Sequence, residues 1–226
     1  MLFSILGMDA PPQEKLATII GYILAIFIAM SFHEFAHAYI AYKQGDDTAR
    51  LKGRLTLNPL AHLDLFGTIA LMIFGIGWAK PVPINPLHFK QQRKGIIWVS
   101  LAGVITNIAI AIISVGGWVL VNLTLAAYLN STGPMFVLSW ILNVFFFYGI
   151  FINVAFCIFN LIPVPPLDGF NVLQMLLPRD NKYVEFASRN SRWLFLAVLI
   201  FLNFTGFFEI VVDFISDKLF ILWGII

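Results

Sequence analysis

The chain has 226 residues, 60% of them apolar and only 12% charged, with a net charge of +2 and a mean hydropathy of +0.87. That is too little charge to cover a water-soluble domain of this size, so the bilayer is the expected solvent. The small net charge gives no footing for nucleic acid. The single cysteine, Cys157, cannot form an intramolecular disulfide and reads as a core or lipid-facing side chain.

Residues 1–15 hold Asp9, Glu14 and the Pro11–Pro12 pair, with no basic stretch ahead of an apolar core. No cleaved signal peptide is expected, and the first apolar segment should remain in the mature protein. A spanning helix takes about 20 mostly apolar residues. Residues 16–42, 96–121 and 135–159 meet that requirement. Residues 193–226 are apolar but interrupted by Asn203 and Gly206, which allows two short spans or a span and a surface helix. Residues 63–78 are short for a crossing and carry Gly67, Gly75 and Gly77, which suits a re-entrant hairpin.

Basic residues concentrate in 43–62, 79–95 and 178–192, whereas 122–134 carries no charge. The excess of Lys and Arg predicts that the three basic segments are cytoplasmic and 122–134 is outside. With 43–62 and 79–95 on one side, 63–78 must enter and return. Pro81, Pro83 and Pro86 predict an extended segment. The expected fold is an all-α polytopic membrane protein of about 4–6 transmembrane helices. It forms a single membrane-embedded domain over 1–226, with a core at 16–180 and C-terminal apolar helices at 193–226.

The chemistry concentrates in Phe32-His33-Glu34-Phe35-Ala36-His37-Ala38. Residues four apart share a helix face, so His33 and His37 can grip one ion, and Glu34 can reach a water on it. This is the H-E-x-x-H spacing of zinc proteases, with Glu as general base. Three ionisable groups on an apolar helix are costly in lipid and should face the bundle interior. A hydrogen-bonded histidine pair beside a neutral Glu is the bland alternative. Catalytic zinc usually takes three protein ligands. Asp168 is the candidate third, in Asn160-Leu161-Ile162-Pro163-Val164-Pro165-Pro166-Leu167-Asp168-Gly169, where three prolines must end the preceding helix. Its alternative is a helix N-cap. His37 lies six residues before Lys43, roughly 9 Å inside the cytoplasmic helix end, and Asp168 follows the cytoplasmic end of 135–159.

At these residues the chain resembles the site-2 protease family of intramembrane metalloproteases. The stretches from Leu57 to Asp64 and from Gly77 to Pro86 are similar to its compact bacterial and archaeal branch. The resemblance covers roughly 16–180 and implies Zn2+ held by His33, His37 and Asp168, with Glu34 as base. It also implies that Asn160 helps hold substrate or polarise the scissile carbonyl. Asn107, in Gly103-Val104-Ile105-Thr106-Asn107, lacks the proline that often follows that glycine in relatives. It is either a substrate contact or an interhelical hydrogen bond. No stretch is polar and long enough for the peptide-binding PDZ-type domain of many relatives.

His62 and Asp64 read as a loop histidine and a helix cap, with a second polar cluster near the site as the alternative, and His88 as a solvated loop residue. The expected partners are the lipid bilayer and single-span membrane protein substrates. The expected location is the cell membrane, multi-pass, with the active site nearer the cytoplasmic face. The main rival is a membrane zinc-binding or zinc-transport protein, which would have no need of Glu34. A catalytically silent relative is the other.

Overall fold

The computed structural model describes residues 5–74, 79–129 and 133–222. Among the described residues, regular structure is helical apart from an isolated bridge. Helix α1 (Pro12–Gln44) opens with Pro12 in its first turn, where a missing N–H costs nothing. It stops at Gly45, whose φ of 107° few other residues accept. There the N–H groups of Gly45 and Asp46 close on the Tyr42 and Ala41 carbonyls, each at 3.0 Å.

Two single-turn helices follow, α2 (Thr48–Leu51) and α3 (Pro59–His62), and then α4 (Leu65–Phe74). At 10 residues α4 covers ~15 Å, about half the hydrocarbon thickness. Leu63 and Ala79 pair as an antiparallel bridge, and the Lys80 N–H donates to the His62 carbonyl at 2.8 Å. Leu63 and Ala79 therefore lie side by side, as a re-entrant hairpin between them requires and a single crossing forbids. Residues 75–78, with Gly75 and Gly77, fall outside the described residues.

After a short 3-10 turn (Pro86–His88) come the two longest elements of the second half, α5 (Gln92–Leu129) and α6 (Pro134–Leu161). The uncharged segment expected as a loop at 122–134 is helical to Leu129. The reason is local: no glycine or proline occurs between Gly117 and Gly133. The Asn122 amide and Thr124 hydroxyl donate to the Trp118 and Leu120 carbonyls at 2.8 and 2.7 Å, so neither polar group is stranded. Gly133, at φ 98°, and Pro134 then start α6.

Pro163, Pro165 and Pro166 end α6 and lead into α7 (Asp168–Leu176). Within the basic segment 178–192 lies α8 (Lys182–Arg189), capped by the Asn181 side chain. Helices α9 (Ser191–Thr205) and α10 (Phe207–Leu222) are separated at Gly206, φ 63°. Each covers ~22–24 Å, short of a ~30 Å hydrocarbon core.

Three helices among the described residues, α1, α5 and α6, are long and apolar enough to cross a membrane, and the chain is an all-α membrane protein. They pack against one another, with buried Ala17, Ala25, Ala29, Ala38 and Ala41 giving α1 its close approach. A Cβ at Gly21 would stand 2.8 Å from the Ile141 carbonyl oxygen of α6. Helix α7 packs on α5 and α6, and α10 inserts Val212 and Phe220 against Ala111, Val115, Ile150 and Val154.

Candidate metal centre

His33 and His37 leave the same face of α1, one turn apart. Their rings meet edge to face, with centroids 4.5 Å apart and Nε2 atoms 2.9 Å apart. Both are buried. The Nδ1 of His37 lies 2.7 Å from the Val99 carbonyl oxygen, and the Nδ1 of His33 lies 2.6 Å from Asn107 Oδ1. Each Nδ1 carries the hydrogen and donates, which leaves each Nε2 a free lone pair. Gly103 of α5 permits the fit: a Cβ there would stand 2.5 Å from the His33 ring.

Asp168 reaches the same point from the other side of the bundle. The prolines release the chain from α6, and Gly169 runs so close to Leu161 that a Cβ would stand 2.2 Å from its carbonyl oxygen. Asp168 Oδ2 lies 3.4 Å from His33 Nε2 and 3.2 Å from His37 Nε2. Asp168 does not act as an N-cap. Leu167 holds that position, without a side-chain cap, and Asp168 Oδ2 is buried with no hydrogen-bond partner.

These three atoms form a small triangle, and the donor set fits zinc. Ligands at 2.0–2.1 Å from a tetrahedral ion lie about 3.3 Å from one another, close to the edges found here. A buried carboxylate oxygen without a donor, facing two imidazole lone pairs, is repulsive unless a cation lies between them. Two histidines and one carboxylate also leave a tetrahedral position open, as catalytic sites require.

Glu34 is half-buried, and its Oε2 accepts from the Val82 N–H at 3.1 Å. The extended segment 80–85 is fastened at both ends. At one end the Arg54 guanidinium donates to the Lys80 carbonyl. At the other the Asn85 N–H donates to Asp46 Oδ2 at 2.7 Å. Asp46 is fully buried and also accepts from the Thr48 N–H and hydroxyl and from His88 Nδ1. Burial pushes its carboxyl upward, but these donors outweigh it and hold the carboxyl below its ordinary range.

The remaining predicted residues fall as follows. Asn107 is fully buried and its amide donates to Asn153 Oδ1 at 2.7 Å. Asn160, in the last turn of α6, donates to the Phe156 carbonyl one turn back at 3.0 Å. Asp64 caps α4 by accepting from the Gly67 N–H at 2.8 Å. His62, expected as a loop histidine, ends α3 and is fully buried, with Nε2 2.7 Å from the Thr56 carbonyl oxygen. His88 is half exposed and tied to Asp46, and Cys157 is half-buried on α6. Sequence reasoning passed over Gly103, Asn153 and Val82. Gly103 carried a signal as a glycine inside a helical run, and Asn153 as an amide inside an apolar span.

Residues 21–202 match the profile of Peptidase family M50. "Putative zinc metalloprotease YwhC" of Bacillus subtilis (strain 168) is 43% identical over 160 residues, 69% of this chain and 68% of that protein. Rip2 of Mycolicibacterium smegmatis is 30% identical over 197 residues, 84% of this chain and 70% of its own length. MJ0611 of Methanocaldococcus jannaschii is 28% identical over 165 residues, covering 72% and 74%. Both carry the same designation as YwhC. No solved structure matches the chain significantly. A buried His-His-Asp cluster suited to zinc, a helical membrane bundle and this family match converge: the chain belongs to Peptidase family M50, the site-2 protease family, and is a membrane zinc metalloprotease.

Proposed function

We propose that the chain cleaves peptide bonds of single-span membrane proteins in the cell membrane, at a site nearer the cytoplasmic face, with Glu34 as the general base. The observation that carries this reading is the position of Glu34. It is next in sequence to one ligand, on the helix face shared with the other, and its carboxylate is steered by the Val82 N–H.

Zinc, when bound, supplies Lewis acidity to a water and to the scissile carbonyl. His33 and His37 present Nε2 lone pairs fixed by their Nδ1 hydrogen bonds, and Asp168 adds a negative charge. Glu34 takes the proton from the attacking water and passes it to the leaving amine. A substrate helix protects its amides internally, so the cleaved stretch must be extended when it meets the site. Segment 80–85 is an edge along which such a stretch can pair through main-chain bonds. Asn160, in the last turn of α6, is the candidate for substrate contact. Asn107 has its oxygen on His33 and its amide on Asn153, which favours support of the ligand over contact with substrate. The basic residues of 43–62, 79–95 and 178–192 support a cytoplasmic location for the site.

The test uses purified protein and a panel of single-span substrates, with and without a chelator, beside Glu34→Gln. Wild type should cut at least one substrate, and the chelator should stop it. Glu34→Gln should bind equal zinc and cut 10²–10⁴-fold more slowly, the usual worth of a general base. A variant cutting at the wild-type rate would remove Glu34 from this role. Zinc flux without cleavage by either form would favour a transporter.

A further inference from the structure

The two histidines reach the same protonation pattern by different routes. For His37 the partner is a backbone carbonyl, Val99, which can only accept. That fixes the hydrogen on Nδ1 and the lone pair on Nε2. For His33 the partner is an amide side chain, Asn107, which could present either its oxygen or its NH2. If the NH2 faced His33, Nδ1 would have to accept, the hydrogen would move to Nε2, and the ligand atom would be lost.

Something must choose the orientation of Asn107, and the next bonds in the chain do so. The Asn153 NH2 donates to the Gly149 carbonyl at 2.8 Å. A backbone carbonyl accepts only, so the Asn153 oxygen must point away from it, toward Asn107. The Asn107 NH2 donates to that oxygen at 2.7 Å, which turns Asn107 Oδ1 onto His33 Nδ1 at 2.6 Å. Both asparagines are essentially without solvent exposure, so water offers no alternative partner.

We infer that Asn153 and Asn107 form a relay that carries the polarity of the Gly149 backbone carbonyl across α6 and α5 to His33, fixing the tautomer that binds zinc. Both are positioning residues. The inference rests on the metal reading above and extends it to two side chains that do not touch the ion.

The experiment measures zinc affinity of the full chain in detergent by competition with a chromogenic chelator, and the visible spectrum of the cobalt-loaded protein. Asn107→Leu and Asn153→Leu are each expected to weaken zinc by about 10–100-fold, the range for partners that orient a ligating histidine. Their cobalt bands should weaken or shift. Asn107→Asp keeps an acceptor facing His33 although it loses the donor to Asn153, so it should bind zinc more tightly than Asn107→Leu. It also serves where the leucine variant melts early, because an affinity no better than that of Asn107→Leu would overturn the relay. Unchanged affinity in Asn153→Leu, with a native melting temperature, would overturn it as well. Wild type that takes up no zinc would overturn the metal reading and the relay with it. Normal zinc in wild type and in both leucine variants overturns the relay alone.

Discussion

The two halves of the metal centre are built on opposite plans. His33, Glu34 and His37 ride on one continuous helix, packed by α5 and α6 with buried alanines around them. Asp168 is the first residue of α7, delivered there by an irregular, proline-rich stretch and secured by Gly169 against Leu161 and by the Tyr183 hydroxyl on the Pro163 carbonyl at 2.5 Å. The helical half gets its spacing from backbone hydrogen bonds and its rigidity from its neighbours. The loop half takes its direction from the proline-rich stretch that delivers Asp168 to the start of α7, and is held by a few contacts. The contrast suggests that a change in the helical half disturbs fold and metal together, whereas one in the loop half disturbs chiefly the metal.

The largest expected effect is loss of the ion. His33→Ala and His37→Ala should each abolish stoichiometric zinc in metal analysis of purified protein, and Asp168→Ala should leave only weak binding by two imidazoles. Full zinc in Asp168→Ala would strike the loop half from the site altogether.

Next come the two glycines. Gly103→Ala drives a methyl into the His33 ring, and overpacking of this kind costs roughly 1–3 kcal/mol. It should lower both the melting temperature and zinc affinity. Gly169→Ala meets the Leu161 carbonyl, a backbone group that cannot swing aside, so the short α7 must move away from the end of α6 and carry Asp168 with it while the α1–α5–α6 bundle stays in place. Zinc affinity should fall while the melting temperature changes less than in Gly103→Ala. The reverse order of melting temperatures would break the comparison.

The smallest effect belongs to Tyr183→Phe, which removes one partly exposed hydrogen bond worth about 0.5–1.5 kcal/mol. Zinc affinity measured by chelator competition should drop slightly with no change in the helical half. A drop as large as that of Gly169→Ala would make α8 a principal support of Asp168.

The contrast also explains what could be read from the chain alone. The i, i+4 spacing of His33 and His37 is a helical fact, visible wherever the helix is. Asp168 was legible through the prolines around it, and the extended 80–85 segment through Pro81, Pro83 and Pro86. The length of α5 was not, because a charge-free stretch looked like a loop although nothing in it breaks a helix. Nor could Asn153 facing Asn107, Gly103 under His33 or Val82 on Glu34 be foreseen. Each joins residues tens of positions apart, and the register between helices decides it. His62 looked like an ordinary loop residue because the polar groups that bury it, Thr56 and Arg54, are neighbours in space through a turn that no periodicity announces.

The fastening of segment 80–85 has a further consequence. Pro81 and Pro83 have no N–H. Of the remaining donors, those of Lys80, Val82 and Asn85 are taken by His62, Glu34 and Asp46. An open strand edge invites any extended chain to copy it, and prolines and internally spent donors are what deny that invitation. An incoming chain therefore finds mainly carbonyls and the Ile84 N–H, a sparse ladder that makes the edge a poor template for a second copy of the protein. A visitor that displaces Glu34 from Val82 gains a further rung, and by the same act unsheathes the carboxylate.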